Sequence, residues 1–398
     1  MTLIGDDIMN KKKLGLLPKI LIAILLGIAV GSFSPEWLVA GLATFSGLFG
    51  NFLGFAIPLI IIGFIAPGIG ELGRGAGRLL GMTTGIAYVS SIIGGLLAFL
   101  AATLLYPYLL EAGSLTQSFS NPEEALLAPY FTVDMPPVFG VMTALLLAFT
   151  LGLGAAVIKG QALQNVMVDF RAIVEKLIAS VIIPLLPYHI FCVFANLTYG
   201  GQVTMILSVF VKVFVMIIVL HILYLVIQYV VAGQIGRKNP FTLLKNMIPA
   251  YFTAIGTQSS AATIPVTLRQ TKLNGVKGKV ADFVIPLCAT IHLSGSTITL
   301  VSCSMAVMVL TGMPITFGSM FPFILMLGVT MVAAPGVPGG AVMAALGLLE
   351  SMLGFDTTLT SLMIALYIAQ DSFGTATNVT GDGAIAIITD RMSKSEPA

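Results

Sequence analysis

Apolar tracts separated by short polar segments fill the first 234 residues of the chain. A helix that crosses a bilayer needs about 20 mostly apolar residues. Tracts of sufficient length lie at 15–34, 46–69, 79–107, 136–158, 172–197 and 203–234. The pattern therefore predicts six ordinary membrane spans in this part of the chain.

The apolar tracts after residue 240 are interrupted. They are 247–268, broken at 257–265; 281–312, broken at 292–296; and 320–354, broken at 334–340. Basic residues flank both ends of the first tract, so we predict a re-entrant hairpin there. The third tract predicts a second hairpin of opposite orientation, and a last span follows at about 359–388. Interrupted segments in corresponding positions of two inverted repeats indicate the binding site of a transporter.

Composition supports a membrane protein with many spans. Of 398 residues, 57% are hydrophobic and only 9% are charged, whereas soluble domains have about 25% charged residues. Clusters of Lys and Arg fall in alternate loops, which predicts cytoplasmic N- and C-termini in the inner (plasma) membrane. The net charge of +2 gives no indication of a nucleic-acid partner. We expect membrane lipids and a small molecule as partners.

The last apolar tract carries four polar residues on one helical face. Asp371, Thr375, Asn378 and Asp382 are spaced four, three and four residues apart, and we call them the polar stripe. A buried carboxylate at bilayer depth needs a partner. A polar seam between helices would need only one or two Ser, Thr or Asn residues. The stripe therefore indicates a site for a cation, an ammonium group, a proton or water.

Four sequence stretches, in this order, resemble the signatures of the dicarboxylate/amino acid:cation symporters, the glutamate transporter family. They are SSAATIP (259–265), ATIHLSGST (289–297), GVPGG (336–340) and TNVTGD (377–382). The residues around 370–378 are especially similar to bacterial sodium:serine/threonine symporters. The resemblance implies an all-α polytopic protein with eight transmembrane helices, two re-entrant hairpins, inverted repeats and an elevator mechanism in a homotrimer. It also implies a scaffold at 1–78 and 108–200 and a moving transport domain at 79–107 and 201–398.

The resemblance also implies roles for particular residues. Asp371 and Thr375 would hold the substrate's ammonium group, and the carboxylate would be held by Asn378, Ser260 and the backbone near Ser259. The tip formed by Val337, Pro338 and Gly339 would be the outer gate. Sodium ligands would come from Asp382 and Asn378, from Thr290 with carbonyls near Ala334, and from the hydroxyls of Ser90 and Ser91.

Four positions depart from the family pattern. Gly374 stands where members that carry acidic substrates have Arg, and Gln258 stands where some members have a second Arg in the first hairpin. With neither cation present, an anionic substrate side chain would be buried unpaired at a cost of several kcal/mol. We therefore predict a neutral amino acid, serine- or threonine-like or somewhat larger, since Gly374 leaves room. His292 and Ser294 replace the family's Asn and Asp at the cation sites. This predicts fewer coupled Na⁺ ions, with H⁺ carried by His292 and Asp382 as a further hypothesis.

Three alternatives stay open at this point. The first is a symporter of acidic amino acids or dicarboxylates. The second is a membrane-embedded enzyme, although Asp371 and Asp382 would lie roughly 16 Å apart along one helix and could not share a proton. The third is a channel. We predict that the chain is not an enzyme.

Overall fold

A computed structural model describes residues 16–74, 78–113, 126–201, 203–332, 334 and 339–393. All regular elements in these ranges are helical. They are α1 (Leu16–Phe33), α2 (Glu36–Arg74), α3 (Arg78–Leu109), α4 (Val141–Val157), α5 (Ala162–Leu177), a π-helical turn (Ile178–Ile182), α6 (Ile183–Tyr199), α7 (Val203–Gly236), α8 (Pro240–Thr257), α9 (Ser260–Leu273), α10 (Gly278–Ile291), α11 (Ser294–Leu310), α12 (Phe317–Val332), α13 (Gly340–Leu353) and α14 (Thr357–Ser393).

Several helices match the predicted spans. Within the described residues, 5 helical stretches are long and apolar enough to cross a membrane: Glu36–Gly70, Leu79–Leu109, Ala162–Tyr199, Leu207–Gly236 and Gly278–Leu310. Helices α1 and α4 are apolar but shorter. Helix α14 has 37 residues and is about 55 Å long at the usual helical rise. The helical, membrane-protein class is therefore confirmed, and the count of eight spans stays a prediction.

Helices α8 and α9 form the first hairpin. The chain reverses at Gln258, which has a left-handed backbone (φ 51°), and Ser259 caps α9 by accepting a hydrogen bond from the N–H of Ala262. At the end of the hairpin opposite this tip, the side-chain amide of Asn246 donates to the side-chain oxygen of Asn274 at 2.8 Å. The two ends of the hairpin therefore lie side by side, as the flanking charges predict.

The second hairpin and the broken span occupy their predicted positions. Helices α12 and α13 pack against each other around the segment 333–339, of which Ala334 and Gly339 are described. The break between α10 and α11 is shorter than the predicted 292–296. Only His292 and Leu293 lie outside a helix, because Ser294 already begins α11.

The helices pack in two groups. Helices α1, α2, α4, α5 and α6 contact one another, and α3 packs with α7 to α14. Contacts between the groups are made chiefly by α13 with α2 and α4, and by α14 with α1 and α6. The second group encloses α11, α13 and α14, whose residues are almost all buried.

Candidate substrate and cation site

The polar stripe lies inside the second group of helices. Helix α14 packs against α7, α8, α9, α10 and α11. The four stripe residues are all buried, with exposed fractions of 6% for Asp371 and Thr375, 2% for Asn378 and 1% for Asp382. Each carboxylate at such depth needs a partner of its own, and the structure provides two different ones.

Asp371 contacts the tip of the second hairpin. Its Oδ2 accepts a hydrogen bond from the backbone N–H of Gly339 at 2.7 Å. Gly339 precedes α13 with φ 75°, a conformation that favours glycine. The positive end of α13 therefore faces the carboxylate. Gly339 thus lies where the gate is predicted, whereas Val337 and Pro338 lie outside the described residues.

Asn378 joins α14 to the start of α11. Its Oδ1 accepts hydrogen bonds from the N–H groups of Gly295 (2.7 Å) and Ser296 (3.3 Å), and its Nδ2 donates to the Ser296 hydroxyl at 3.0 Å. The side chain thereby caps the N-terminus of α11. It holds the broken span against the stripe.

The contact between α11 and α14 requires a glycine at position 295. A Cβ there would lie 2.4 Å from the carbonyl oxygen of Gly374 and 2.7 Å from Cβ of Thr377. A Cβ at Gly374 would meet the backbone of Gly295 and Ser296 at 3.6 Å. Position 374 therefore faces α11 at ordinary contact distance.

We expect Gly295→Ala to destabilise the protein by about 1–3 kcal/mol, the usual cost of overpacking. The matched control is Gly54→Ala in α2, where an added Cβ meets nothing within 4 Å. The apparent melting temperature of purified protein measures both effects. If Gly295→Ala had the same melting temperature as the wild type, this account of the contact between α11 and α14 would be contradicted.

Asp382 pairs with an imidazole. Its Oδ1 lies 2.8 Å from Nδ1 of His292, and both side chains are buried. The other ring nitrogen, Nε2, lies 3.0 Å from the hydroxyl of Ser90 on α3. That hydroxyl also contacts the Tyr224 hydroxyl at 2.9 Å and accepts from the Gln228 amide at 2.9 Å. These five residues, which we call the His292 network, link α3, α7 and α14 through the break in the span.

The remaining predicted cation ligands lie in varied surroundings. The Ser91 hydroxyl donates to the Ala87 carbonyl of its own helix. The buried Ser294 hydroxyl has no hydrogen-bond partner among the described residues. Thr290 is exposed and its hydroxyl donates to the Leu287 carbonyl at 2.8 Å, while Ala334 is buried. In this conformation the structure brings His292 to Asp382 and Ser90 to the other ring nitrogen of His292, and it turns Thr290 outward.

The residues predicted for the substrate's carboxylate come from two elements. Ser260 is the first residue of α9 and is 7% exposed. Its neighbour Ser259 caps the same helix. Helix α9 packs on α14, which carries Thr375 and Asn378. The hairpin tip and the stripe are therefore on neighbouring elements.

Sequence reasoning missed three residues of α7. Tyr224 and Gln228 belong to the His292 network, and Nε2 of the buried His221 lies 3.0 Å from the carbonyl oxygen of Gly295. The three residues are spaced three and four apart on an apolar helix, the same signal that revealed the polar stripe.

Comparison with known proteins agrees with this arrangement. Residues 16–392 match the sodium:dicarboxylate symporter family. Serine/threonine transporter SstT of Acinetobacter baylyi is 25% identical over 395 residues, covering 96% of this chain and 98% of the relative. The protein of the same name from Streptococcus suis is 26% identical over 341 residues, covering 83% and 94%. Human excitatory amino acid transporter 2 is 28% identical over 261 residues, and the match spans 63% of this chain but only 45% of that protein.

The family match covers nearly the whole chain and includes all four signature stretches. It confirms the resemblance based on those stretches. With a buried polar stripe, two helical hairpins and a broken span on the same chain, this protein belongs to the sodium:dicarboxylate symporter family.

Proposed function

We propose that the chain imports a neutral amino acid, serine or threonine in the first place, together with Na⁺. The observation that carries the proposal is the buried Asp371 carboxylate at the start of α13. An ammonium group is the natural partner of such a carboxylate. Thr375 lies one turn further along the same face, and its hydroxyl offers an acceptor.

A neutral substrate side chain follows from the distribution of cations. No Lys or Arg occurs at 246–268 or 280–390, which include both hairpin tips and the polar stripe. One buried imidazole, His292, already faces Asp382. A second carboxylate on the substrate would therefore be buried without a cationic partner, at a cost of several kcal/mol.

A small side chain fits better than a large one. Gly374 packs against the backbone of α11 at contact distance, so the missing side chain at this position opens little space in this conformation. The two relatives that the chain matches over most of its length are named serine/threonine transporters. Both observations favour serine and threonine over the larger amino acids that the glycine alone would admit.

The cation sites differ from a pure sodium arrangement. The Tyr224 hydroxyl donates its proton to the backbone carbonyl of Ser90. In the contact between the two hydroxyls, Ser90 must therefore be the donor and Tyr224 the acceptor. Nε2 of His292 must then donate to Ser90, while Nδ1 faces the Asp382 carboxylate. With the Asp382 carboxylate ionised, satisfying all these contacts takes a proton on both ring nitrogens. We infer that a charged His292 supplies at Asp382 the positive charge that a Na⁺ ion would otherwise provide, so that fewer Na⁺ ions, or a proton, are coupled to transport.

The transport cycle that we propose is an elevator movement in a homotrimer. The group formed by α3 and α7 to α14 would carry the substrate past a scaffold of α1, α2 and α4 to α6. The limited contacts between the two groups support this division. Closure of the second hairpin over Asp371 would accompany each movement.

Uptake into proteoliposomes tests the proposal. An inward Na⁺ gradient should drive concentrative uptake of labelled serine, and unlabelled threonine should compete while aspartate, glutamate and succinate should not. Strong competition by aspartate would support the acidic-substrate alternative. Conductance that needs no gradient of substrate or Na⁺ would indicate a channel, and chemical conversion of the substrate an enzyme.

A further inference from the structure

We propose that an anionic phospholipid of the inner leaflet binds between α3, α7 and α14, with an acyl chain in an apolar pocket. The pocket has a volume of about 330 Å³, within the size range of small-molecule sites. Its walls are mainly branched aliphatic side chains, among them Ile86, Val89, Ile93, Ile227, Val231 and Ile388. Such walls suit a hydrocarbon chain and offer little to a polar solute.

The pocket opens on the surface that faces lipid in a membrane protein. Val89, Ile93 and Val231 are 53%, 48% and 42% exposed. They lie on α3 and α7, two of the helices long and apolar enough to span. Acyl chains are therefore the apolar material in direct contact with the pocket mouth.

The position of the pocket along the helices indicates the leaflet and the charge of the lipid. Ile388 lies one turn before Arg391 on α14, and Gly85 lies two turns after Arg78 on α3. Exposed Arg237 follows the end of α7. The charge pattern predicts that all three ends are cytoplasmic. Basic residues at cytoplasmic helix ends attract anionic headgroups. The acyl chain would therefore enter the pocket from the cytoplasmic side, and the phosphate would lie beside Arg237 and Arg391.

The inner wall of the pocket belongs to the His292 network. Ser90, Tyr224 and Gln228 line the pocket as well as contacting one another. Occupancy would hold α3 against α7 beside the pair of His292 and Asp382. A bound lipid would therefore modulate transport, and this consequence rests on the proposed function, whereas lipid binding itself does not.

The pocket contains a glycine that allows a clean test. An added Cβ at Gly85 meets nothing within 4 Å, and the same holds for Gly81, one turn earlier, which does not line the pocket. Since its Cβ has free space, Gly85→Phe should place its ring in the pocket, and Gly81→Phe is the matched control. A second filling variant is Ile227→Trp at the pocket mouth.

The probe is phosphatidylglycerol, added to purified detergent-solubilised protein and measured by native mass spectrometry against phosphatidylcholine. We expect the wild type and Gly81→Phe to retain phosphatidylglycerol and to prefer it over phosphatidylcholine. Gly85→Phe and Ile227→Trp should each lose about tenfold in bound lipid while keeping the wild-type melting temperature. Arg391→Gln should lose the preference for the anionic lipid, whereas Lys159→Gln, an exposed cation between α4 and α5, should keep it.

Four results would count against the proposal, and the first two concern the amount of bound lipid. One is retention of phosphatidylglycerol by both filling variants at the wild-type level, and the other is loss of all lipid from the wild type at the same detergent concentration. If the wild type retained phosphatidylcholine and phosphatidylglycerol in equal amounts, the proposed contact between the anionic headgroup and the arginines would be contradicted. If a second copy of the chain occupied the pocket instead, the wild type would form dimers and the filling variants would not. That result also counts against a bound lipid. None of these readouts depends on transport, so failure of the proposed function leaves the lipid test intact.

Discussion

Replacing Asp371 by Asn should weaken the binding of serine by at least about 30-fold. The carboxylate is buried, accepts a hydrogen bond from the backbone N–H of Gly339 and lies beside the hydroxyl of Tyr367, and both of these groups are uncharged. An Asn side chain keeps an oxygen that can accept this hydrogen bond but loses the negative charge that an ammonium group needs. Removing one member of a buried charge pair costs about 2–5 kcal/mol, equivalent to a factor of 30 or more. The measurement is calorimetric titration of serine into purified protein with Na⁺ present.

The matched control for this variant is Asp356→Asn. Asp356 is exposed and accepts a hydrogen bond from the N–H of Leu359 in the first turn of α14. Asn is an equally good N-cap residue, so both affinity and melting temperature should stay at the wild-type values. Serine affinity that is unchanged in Asp371→Asn would remove Asp371 from the substrate site and with it the proposed orientation of the substrate.

The polar stripe and the breaks could be predicted because their signals are local. Four polar residues at helical spacing in an apolar tract place two carboxylates on one face whatever surrounds them. Likewise, Gln258 and Gly339 adopt left-handed conformations at interruptions that Ser, Thr, Gly and Pro already mark in the sequence. The helical class and the positions of both hairpins therefore followed from the chain alone.

The partners of the stripe could not be predicted with the same method. Asn378 caps α11 across 83 residues of sequence separation. His292 meets Asp382 across 90, and only the family resemblance, not a local pattern, suggested that these two residues act together. The close approach at Gly295 depends on how two helices cross. Thr290 shows that a motif can also mislead. It belongs to a stretch that resembles a family signature, yet it lies on the exposed side of α10. Local patterns give the face of a helix, but tertiary packing decides which other helix covers it.

Replacing His292 by Asn should make the stability of the protein depend on Na⁺. In the wild type, the imidazole lies 2.8 Å from the Asp382 carboxylate and both are buried. Without the imidazole, that carboxylate is left unpaired, and breaking a buried pair costs about 3–5 kcal/mol. A Na⁺ ion bound at Asp382 offsets about 2.7 kcal/mol of this cost at a concentration 100 times its dissociation constant. We therefore expect the variant to melt well below the wild type in choline chloride and to recover most of the difference in NaCl.

Two further variants separate ion pairing from a general loss of packing. His189 is another buried histidine, but its Nε2 lies 2.8 Å from the Ser361 hydroxyl, and its Nδ1 has no hydrogen-bond partner within the described part of the chain. His189→Asn should therefore lower the melting temperature by the same amount in NaCl, KCl and choline chloride. The double variant His292→Asn with Asp382→Asn removes both charges, so it should be more stable in choline chloride than His292→Asn alone and indifferent to Na⁺ at this position. If His292→Asn instead melts identically in all three salts, then the imidazole does not stand in for a cation at Asp382, and the reduced Na⁺ stoichiometry loses its physical basis.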